Sequence, residues 1–257
     1  YCFLRNVQKA KGEDEADFQY RLRKQELFVA DLGRFNIKCI LIDKFDEITE
    51  LLAKIESEYK KRTIFISGAA HEYGNWETNI ATSFIQKLSS KLISNDYRIV
   101  SGFGLGVGSS VISGALEEIY MNSKLVISDQ LILRPFPQTT ASSTPLKELW
   151  KTYREDMISH SGIGIFLFGN KEVDGKVINS NGMQEEYAIS KKLNSISIPI
   201  GATGYMSKEL WDKELIEVEN SDLYSKNYKE LFTELGDNTK SSDDLINIIM
   251  NLLKEQI

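Results

Sequence analysis

Two cysteines and two histidines are all that the 257 residues hold of two common metal-ligating side chains. Cys2 and Cys39 stand in unlike contexts without metal-ligand spacing, so neither a structural zinc site nor a disulfide framework is expected, and the setting expected is a reducing cytoplasm. His71 and His160 have no Cys or Ser neighbour arranged for nucleophilic catalysis and are assigned structural or surface places. No apolar run approaches the length of a membrane span. Positive charge is not in excess either. The formal net charge of −6 argues against the long phosphate-backbone footprint of a nucleic-acid binder, although a local basic pocket for one small anion is compatible with it. Tyr1 is followed by neither a basic leader nor a signal-type apolar segment, and without an initiator methionine the chain is expected to be a piece of something longer. The remainder, 42% hydrophobic and 26% charged, describes ordinary globular protein with room for one large domain or two modest ones.

The stretch richest in information is Ile99-Val100-Ser101-Gly102-Phe103-Gly104-Leu105-Gly106-Val107-Gly108-Ser109-Ser110. A short apolar run empties into four glycines at alternate positions and then into a helical pattern, the order of a strand, a bare loop and a helix whose first N–H groups face an anion. Two familiar phosphate templates fail on it. The third glycine of the dinucleotide fingerprint is replaced by Val107, and the P-loop lysine is missing because Ser109 and Ser110 follow Gly108 directly. Two readings stand: a phosphate cradle, or a tight turn whose glycines only permit close packing.

Along the chain, Lys9 to Tyr20 reads as a polar loop, Arg21 to Phe35 as a helix, Ile37 to Ile42 as a strand and Asp43 to Tyr59 as a helix, with polar Glu56 to Arg62 as a linker. Apolar strand runs then alternate with helices. The strands are predicted at Thr63–Ser67, Tyr97–Val100, Leu131–Arg134, Ile163–Phe168 and Ile196–Ile200. The helices are predicted at Thr78–Ile93, Ser110–Met121, Pro145–Ser159 and Gly182–Leu193. This is the pattern of a doubly wound, Rossmann-like parallel sheet of the α/β class, with ligands at the carboxyl ends of the strands. The tail from Ser207 reads as helices packed over that sheet.

Polar residues collected at strand ends and helix starts suit a ribose-phosphate compound: backbone N–H groups hold phosphate, Arg and Lys neutralise it, and carboxylates accept from ribose hydroxyls. The ligand-binding set comprises Ser67, Gly68 and Ala69 after the first strand of the sheet, and the loop Gly102, Phe103, Gly104, Leu105, Gly106, Val107, Gly108 and Ser109. Arg134, Lys151, Arg154, Asn170, Gly182 and Glu185 complete it. No catalytic or metal-ligating residue is assigned. Arg134, held extended before Pro135, is placed to project across the strand ends. Lys151 and Arg154 share a helix face, as an anion clamp or a solvated surface. Glu185 and Glu186 open a helix, where a carboxylate is favoured by the dipole alone, so one of the two is enough for the site.

From about Thr63 to Gly204 these motifs resemble the SLOG family of nucleotide-handling Rossmann-like domains. The likeness rests on Ile66-Ser67-Gly68-Ala69, the glycine loop entering a helix with Gly114-Ala115, Tyr153-Arg154-Glu155-Asp156-Met157, and Gly182-Met183-Gln184-Glu185-Glu186. The phosphoribohydrolase branch of that family carries Pro-Gly-Gly-x-Gly-Thr ahead of its catalytic glutamate. Here the place reads Phe168-Gly169-Asn170-Lys171 followed by an inserted Glu172 to Asn181 loop, so only Arg154 and Glu155 match. Tyr1-Cys2-Phe3-Leu4 and Leu32 to Ile42 resemble the last portion of a sirtuin-like domain. The domains implied are therefore the end of a sirtuin-like domain over 1–58 and a SLOG domain over 63–257.

A sirtuin-like end joined to a SLOG domain resembles the Thoeris anti-phage effectors. That resemblance implies a sensor for a cyclic ADP-ribose isomer, a nucleotide second messenger made by a TIR protein. The sensor switches on cleavage of NAD+ by the sirtuin-like domain within a homo-oligomer, dimer or tetramer. The catalytic Asn-x-Asp set and His of that domain would lie before Tyr1, so NAD+ is a substrate of the missing part and this chain holds no cofactor. Arg134 and Lys151 fall where the family's signal-binding basic residues are expected. Nucleic acid and membrane are not expected partners. Two further hypotheses are a nucleoside-monophosphate phosphoribohydrolase using Glu185 or Glu186 with Arg154, and an interaction module with an unused glycine loop. On the sensor reading, Arg134→Ala is expected to abolish binding of the cyclic signal in calorimetry, and an unchanged affinity removes Arg134 from the site.

Overall fold

Branched and aromatic residues gather in short runs between helical stretches, and in a computed structural model of the chain those runs become strands. The structure describes residues 1–122, 126–137 and 145–255, apart from the Ser128 side chain. Two compact units divide it, Tyr1–Glu58 and Tyr59–Ile257.

The first unit contains β1 (Cys2–Arg5), α1 (Glu15–Arg34), β2 (Cys39–Ile42) and most of α2 (Glu47–Lys61). Parallel pairing runs from Cys2 opposite Cys39 to Arg5 opposite Ile42. Helix α1 starts earlier than the apolar periodicity implies. The Asp14 side chain caps it by accepting the Ala16 N–H, and Glu15 and Asp17 favour its positive end. Helix α2 runs on through the polar stretch expected as a linker, because Glu, Lys and other straight-chain residues are good helix formers without any apolar face. Among the described residues of this unit only Ile42 is a buried apolar side chain, while Leu27, Phe28, Phe35 and Phe45 are exposed.

The second unit runs β3 (Thr63–Ala69), α3 (Thr78–Ser94), β4 (Arg98–Ser101), α4 (Gly108–Met121), α5 (Ile127–Gln130), β5 (Leu131–Leu133) and α6 (Leu146–Ser159). It continues with β6 (Ile163–Phe168), β7 (Asn170–Val173), β8 (Lys176–Asn179), α7 (Asn181–Lys192), β9 (Ile196–Pro199), α8 (Tyr205–Asn220), α9 (Lys226–Glu234) and α10 (Ser242–Glu255). The main sheet has five parallel strands in the order β5-β4-β3-β6-β9. The chain builds outward from β3 to β5, then returns to the other side of β3 and builds outward again. This doubly wound Rossmann-like order puts its switch point between β3 and β6.

Alternation along the strands feeds two apolar layers. Ile64, Ile66, Ile99 and Ile165 point to one, which holds Phe84 and Leu88 of α3, Val111 of α4 and Leu245, Ile249 and Leu252 of α10. Phe65, Val100 and Phe166 point to the other, with Met157 and Ile158 of α6, Met183 of α7 and Leu210 of α8. The segment expected as an inserted loop is instead the β7–β8 hairpin. Positive φ at both Asp174 (+53°) and Gly175 (+74°) makes its two-residue connection a type I′ turn, for which Asp-Gly is a favoured pair. No helix among the described residues is long and apolar enough to cross a membrane.

Helices α3 and α4 meet backbone to backbone, since a Cβ on Gly114 would stand 2.0 Å from the Gln86 carbonyl oxygen. Gly114→Ala is therefore expected to cost about 1–3 kcal/mol of stability by overpacking, seen as a melting temperature lowered by several degrees. An unchanged melting temperature would show that the two helices part at no cost.

Candidate functional site

In an open parallel sheet the loops diverge at the switch point and leave a crevice beyond the strand ends. Here β3 runs on to Gly68 and Ala69, further than the predicted Ser67, and the chain leaves it at Ala70; beside it the chain leaves β4 through the glycine loop. The two loops interlock. A Cβ on Gly104 would lie 1.9 Å from the Gly68 carbonyl oxygen, and one on Gly106 would lie 2.1 Å from that of Ala70. The Ala70 N–H donates to the Leu105 carbonyl at 2.8 Å, and the Tyr73 hydroxyl donates to that of Gly106 at 2.6 Å. Gly68 itself leaves room for Val107. Close packing accounts for these glycines, yet it does not use up the loop. The amides of Ser109 and Ser110 in the first turn of α4 have no acceptor among the described residues, and they lie at the positive end of that helix.

Beneath the loops, the Ser67 hydroxyl donates to Glu186 at 2.6 Å. The other carboxylate oxygen of Glu186 is 3.5 Å from Arg154 Nε, and both side chains are only 13% exposed. Arg154 also donates from Nη1 to Glu185 at 2.7 Å and lies over the Phe136 ring, 5.2 Å from its centroid. Gly182 gives Arg154 its room, because a Cβ there would meet Nη2 at 3.1 Å. Burial holds the Glu186 carboxyl above the ordinary carboxylate range, opposed in part by the Ser67 hydrogen bond and the Arg154 charge. Ser180 caps α7 by accepting the Met183 N–H, which fixes the helix end that carries both glutamates.

Ser67, Gly68, Ala69, the glycine loop, Arg154, Gly182 and Glu185 thus gather around one crevice, with Glu186 as the inward carboxylate and Phe136 as an aromatic wall. Helical spacing from buried Met183 carries the signal for Glu186: positions 183, 186, 187 and 190 share a face, whereas 185 lies off it. Nothing local marks Phe136, whose contact with Arg154 is made in the fold. Arg134 continues the strand ladder, its N–H donating to the Ser101 carbonyl, and its Nε is 3.4 Å from Asp156 on α6. Lys151 is exposed and takes no ion-pair partner among the described residues, while Arg154 one turn later is covered. The Asn170 side chain is buried and engaged. It accepts from the N–H groups of His71 and Glu72 and donates to the Glu72 carbonyl, pinning the loop after β3. His71 pairs with Glu172 at 3.2 Å.

Gly102, Phe103, Gly104, Leu105, Pro135 and Phe136 line a cleft of about 220 Å³ at the lip of the crevice. A larger cavity of about 770 Å³, with Trp76, Lys208 and Lys240 in its wall, lies beyond β9 and away from the glycine loop. No group of His, Cys, Asp and Glu among the described residues is arranged to hold a metal ion. What the crevice offers is a cation on an aromatic face, two carboxylates and the amides of Ser109 and Ser110, without an acceptor among the described residues.

A family model described as the Sir2- and TIR-associating SLOG family matches residues 47–256. The chain is similar to the NAD(+) hydrolase ThsA of Bacillus cereus (strain MSX-D12), 48% identical over 257 residues that cover 99% of this chain and 53% of that protein. The NAD(+) hydrolase ThsA of Cytobacillus dafuensis is 42% identical over 264 residues, covering 98% and 53%. That of Acinetobacter baumannii (strain 532279) is 36% identical over 264 residues, covering 99% and 54%. The chain spans about half the length of the curated relatives it matches.

A carboxyl whose pKa is raised by folding holds its proton more tightly in the folded state. Its contribution to stability is present at low pH and lost as pH rises out of the ordinary carboxylate range through the raised value. Glu186→Gln keeps an acceptor for Ser67 and removes that titration. The variant is expected to gain stability relative to the parent as pH is raised from about 4 to about 8, measured as the difference in melting temperature. A difference that stays flat over that range contradicts the raised carboxyl.

Proposed function

The chain belongs to the Sir2- and TIR-associating SLOG family, and on that premise we propose that its second unit is a sensor. It binds a cyclic ADP-ribose isomer at the carboxyl ends of β3, β4 and β6, and binding switches on a sirtuin-like NAD+-cleaving domain of the full protein. Family membership and the relatives named NAD(+) hydrolase ThsA support a place in Thoeris anti-phage defence. In this reading the chain itself does not catalyse and holds no cofactor, NAD+ is the substrate of the remainder, and the protein works as a cytoplasmic homo-oligomer.

The observation that carries the proposal is Arg154, held between Phe136 and the two glutamates beside interlocked glycine loops. A guanidinium fixed on an aromatic face suits phosphate oxygens, the first-turn amides of α4 suit a second phosphate, and Glu185 and Glu186 suit ribose hydroxyls. Binding there activates only to the extent that the ligand favours the active arrangement over the inactive one.

One observation favours the hydrolase reading instead: Glu186 is a buried carboxyl held above its ordinary range, as a general acid would be. Against it, the place of the family's Pro-Gly-Gly run is taken by the left-handed Phe168-Gly169 turn into the β7–β8 hairpin. Calorimetry of the 257-residue chain with cyclic ADP-ribose isomers, together with a product assay on AMP and NAD+, separates the readings. Binding at about micromolar strength without release of base is the expected result. Release of a free base establishes the hydrolase, and silence in both measurements removes the sensor.

A further inference from the structure

Two exposed apolar side chains belong to the glycine loop itself, Phe103 at 53% and Leu105 at 72% exposure. Phe103 is fixed in place. Its φ of +59° lies in the left-handed region that a phenylalanine seldom adopts. Ser101 Oγ accepts its N–H at 3.3 Å, and its Cα lies so close to Gly108 that a Cβ there would approach to 2.6 Å. A strained residue persists where its surroundings over-determine it, and such residues cluster at ligand clamps. The backbone that carries this ring cannot shift without parting from α4.

Across the 220 Å³ cleft stand Pro135 and Phe136. That volume is below the roughly 300–1,000 Å³ of a whole small-molecule site, but it suits one flat ring. The residues that line the slot carry no charge, while the Phe136 ring that walls it also carries Arg154, which pairs in turn with Glu185 and lies near Glu186. A molecule that matches both ends has an aromatic ring joined to an anionic, hydroxyl-rich part.

We propose that the Phe103 ring is the stacking platform for the base of the nucleotide bound at this crevice, with Phe136 walling the slot and the sugar-phosphate portion directed toward Arg154. The inference rests on the sensor reading above and adds to it the group that recognises the base. Stacking on a π face tolerates any base and demands that one be present.

The test titrates the parent chain, Phe103→Ala and Phe103→Trp with the cyclic ADP-ribose isomer that the parent binds most tightly. Phe103→Ala is expected to weaken binding at least about fivefold, as loss of one base stack does, with little change in melting temperature because the ring is exposed. Phe103→Trp is expected to bind as the parent does, and its added indole emission to be quenched at saturation. An affinity unmoved by Phe103→Ala, or indole emission indifferent to saturating ligand, overturns the assignment. So does a change of particle mass in light scattering on Phe103→Ala, which would make the ring a contact between copies. A parent that binds no isomer sinks the sensor reading, and the stacking assignment falls with it. A parent that binds while Phe103→Ala binds equally well sinks only the stacking assignment.

Discussion

The carboxyl end of the sheet depends on backbone meeting backbone where the loops after β3 and β4 cross. No side chain fits between Gly104 and the Gly68 carbonyl, or between Gly106 and the Ala70 carbonyl. With φ at +72°, Gly106 also takes a turn that L side chains resist. The Ala70 to Leu105 hydrogen bond closes the crossing. Several features go with that one contact: α4 starts at Gly108, whose N–H donates to the Gly104 carbonyl, Val107 is pressed into the core against Gly68, and Phe103 is left exposed. Close packing accounts for these glycines without excluding a phosphate cradle, since the amides of Ser109 and Ser110 have no acceptor among the described residues.

The charged group beneath the crossing has the opposite character, since it is only partly satisfied. Arg154 engages Glu185 and lies near Glu186, yet its Nε is buried without a hydrogen-bond partner among the described residues. Half-satisfied networks are costly in a low-dielectric setting, and folded proteins keep them where function needs them. An arginine can occupy this place because its flat guanidinium lies on the Phe136 ring while forking toward two carboxylates; the point charge of a lysine lacks that geometry. Asn170 shows the contrasting case. It directly follows β6, but its amide oxygen accepts two N–H groups and its NH2 donates to a carbonyl, all within the loop it holds.

The parallel sheet was legible because strands buried on both faces read as continuous apolar runs, as in Thr63–Ile66 and Ile163–Phe168. The glycine loop was legible because alternate glycines between a strand and a helix have few other uses. What escaped was of three physical kinds. The β7–β8 hairpin carried its Asp174-Gly175 turn signal in plain view, but its strands are short and polar, so no apolar alternation drew attention to them. Helix α2 was read as far as Tyr59 and missed only at its end, where it runs on to Lys61 through residues with helical propensity and no apolar face. The place of Phe136 over Arg154 depends on a contact between distant elements and is not a local property of the chain, whereas the choice of Glu186 over Glu185 is carried by helical spacing from Met183.

Helix α7 joins the crevice to the rest of the unit in a way that limits how the crevice can move. Its first turns carry Glu185 and Glu186, and its next turns carry Tyr187 and Lys191, whose hydroxyl and ammonium both donate to Glu214 of α8, with Lys191 reaching Glu217 as well. Glu214 is buried at 3% exposure, so its carboxylate depends on these donors. Burial and the Glu214 hydrogen bond raise the Tyr187 hydroxyl well above its ordinary range, which keeps it a donor at any physiological pH. A buried carboxylate cannot surrender its partners cheaply, so α7 is not free to tilt alone. Any displacement of the two glutamates must carry α8 with it or be resisted by the whole pair. The crevice is thus wired into a packed helix pair, the kind of element that changes between discrete arrangements rather than yielding by degrees.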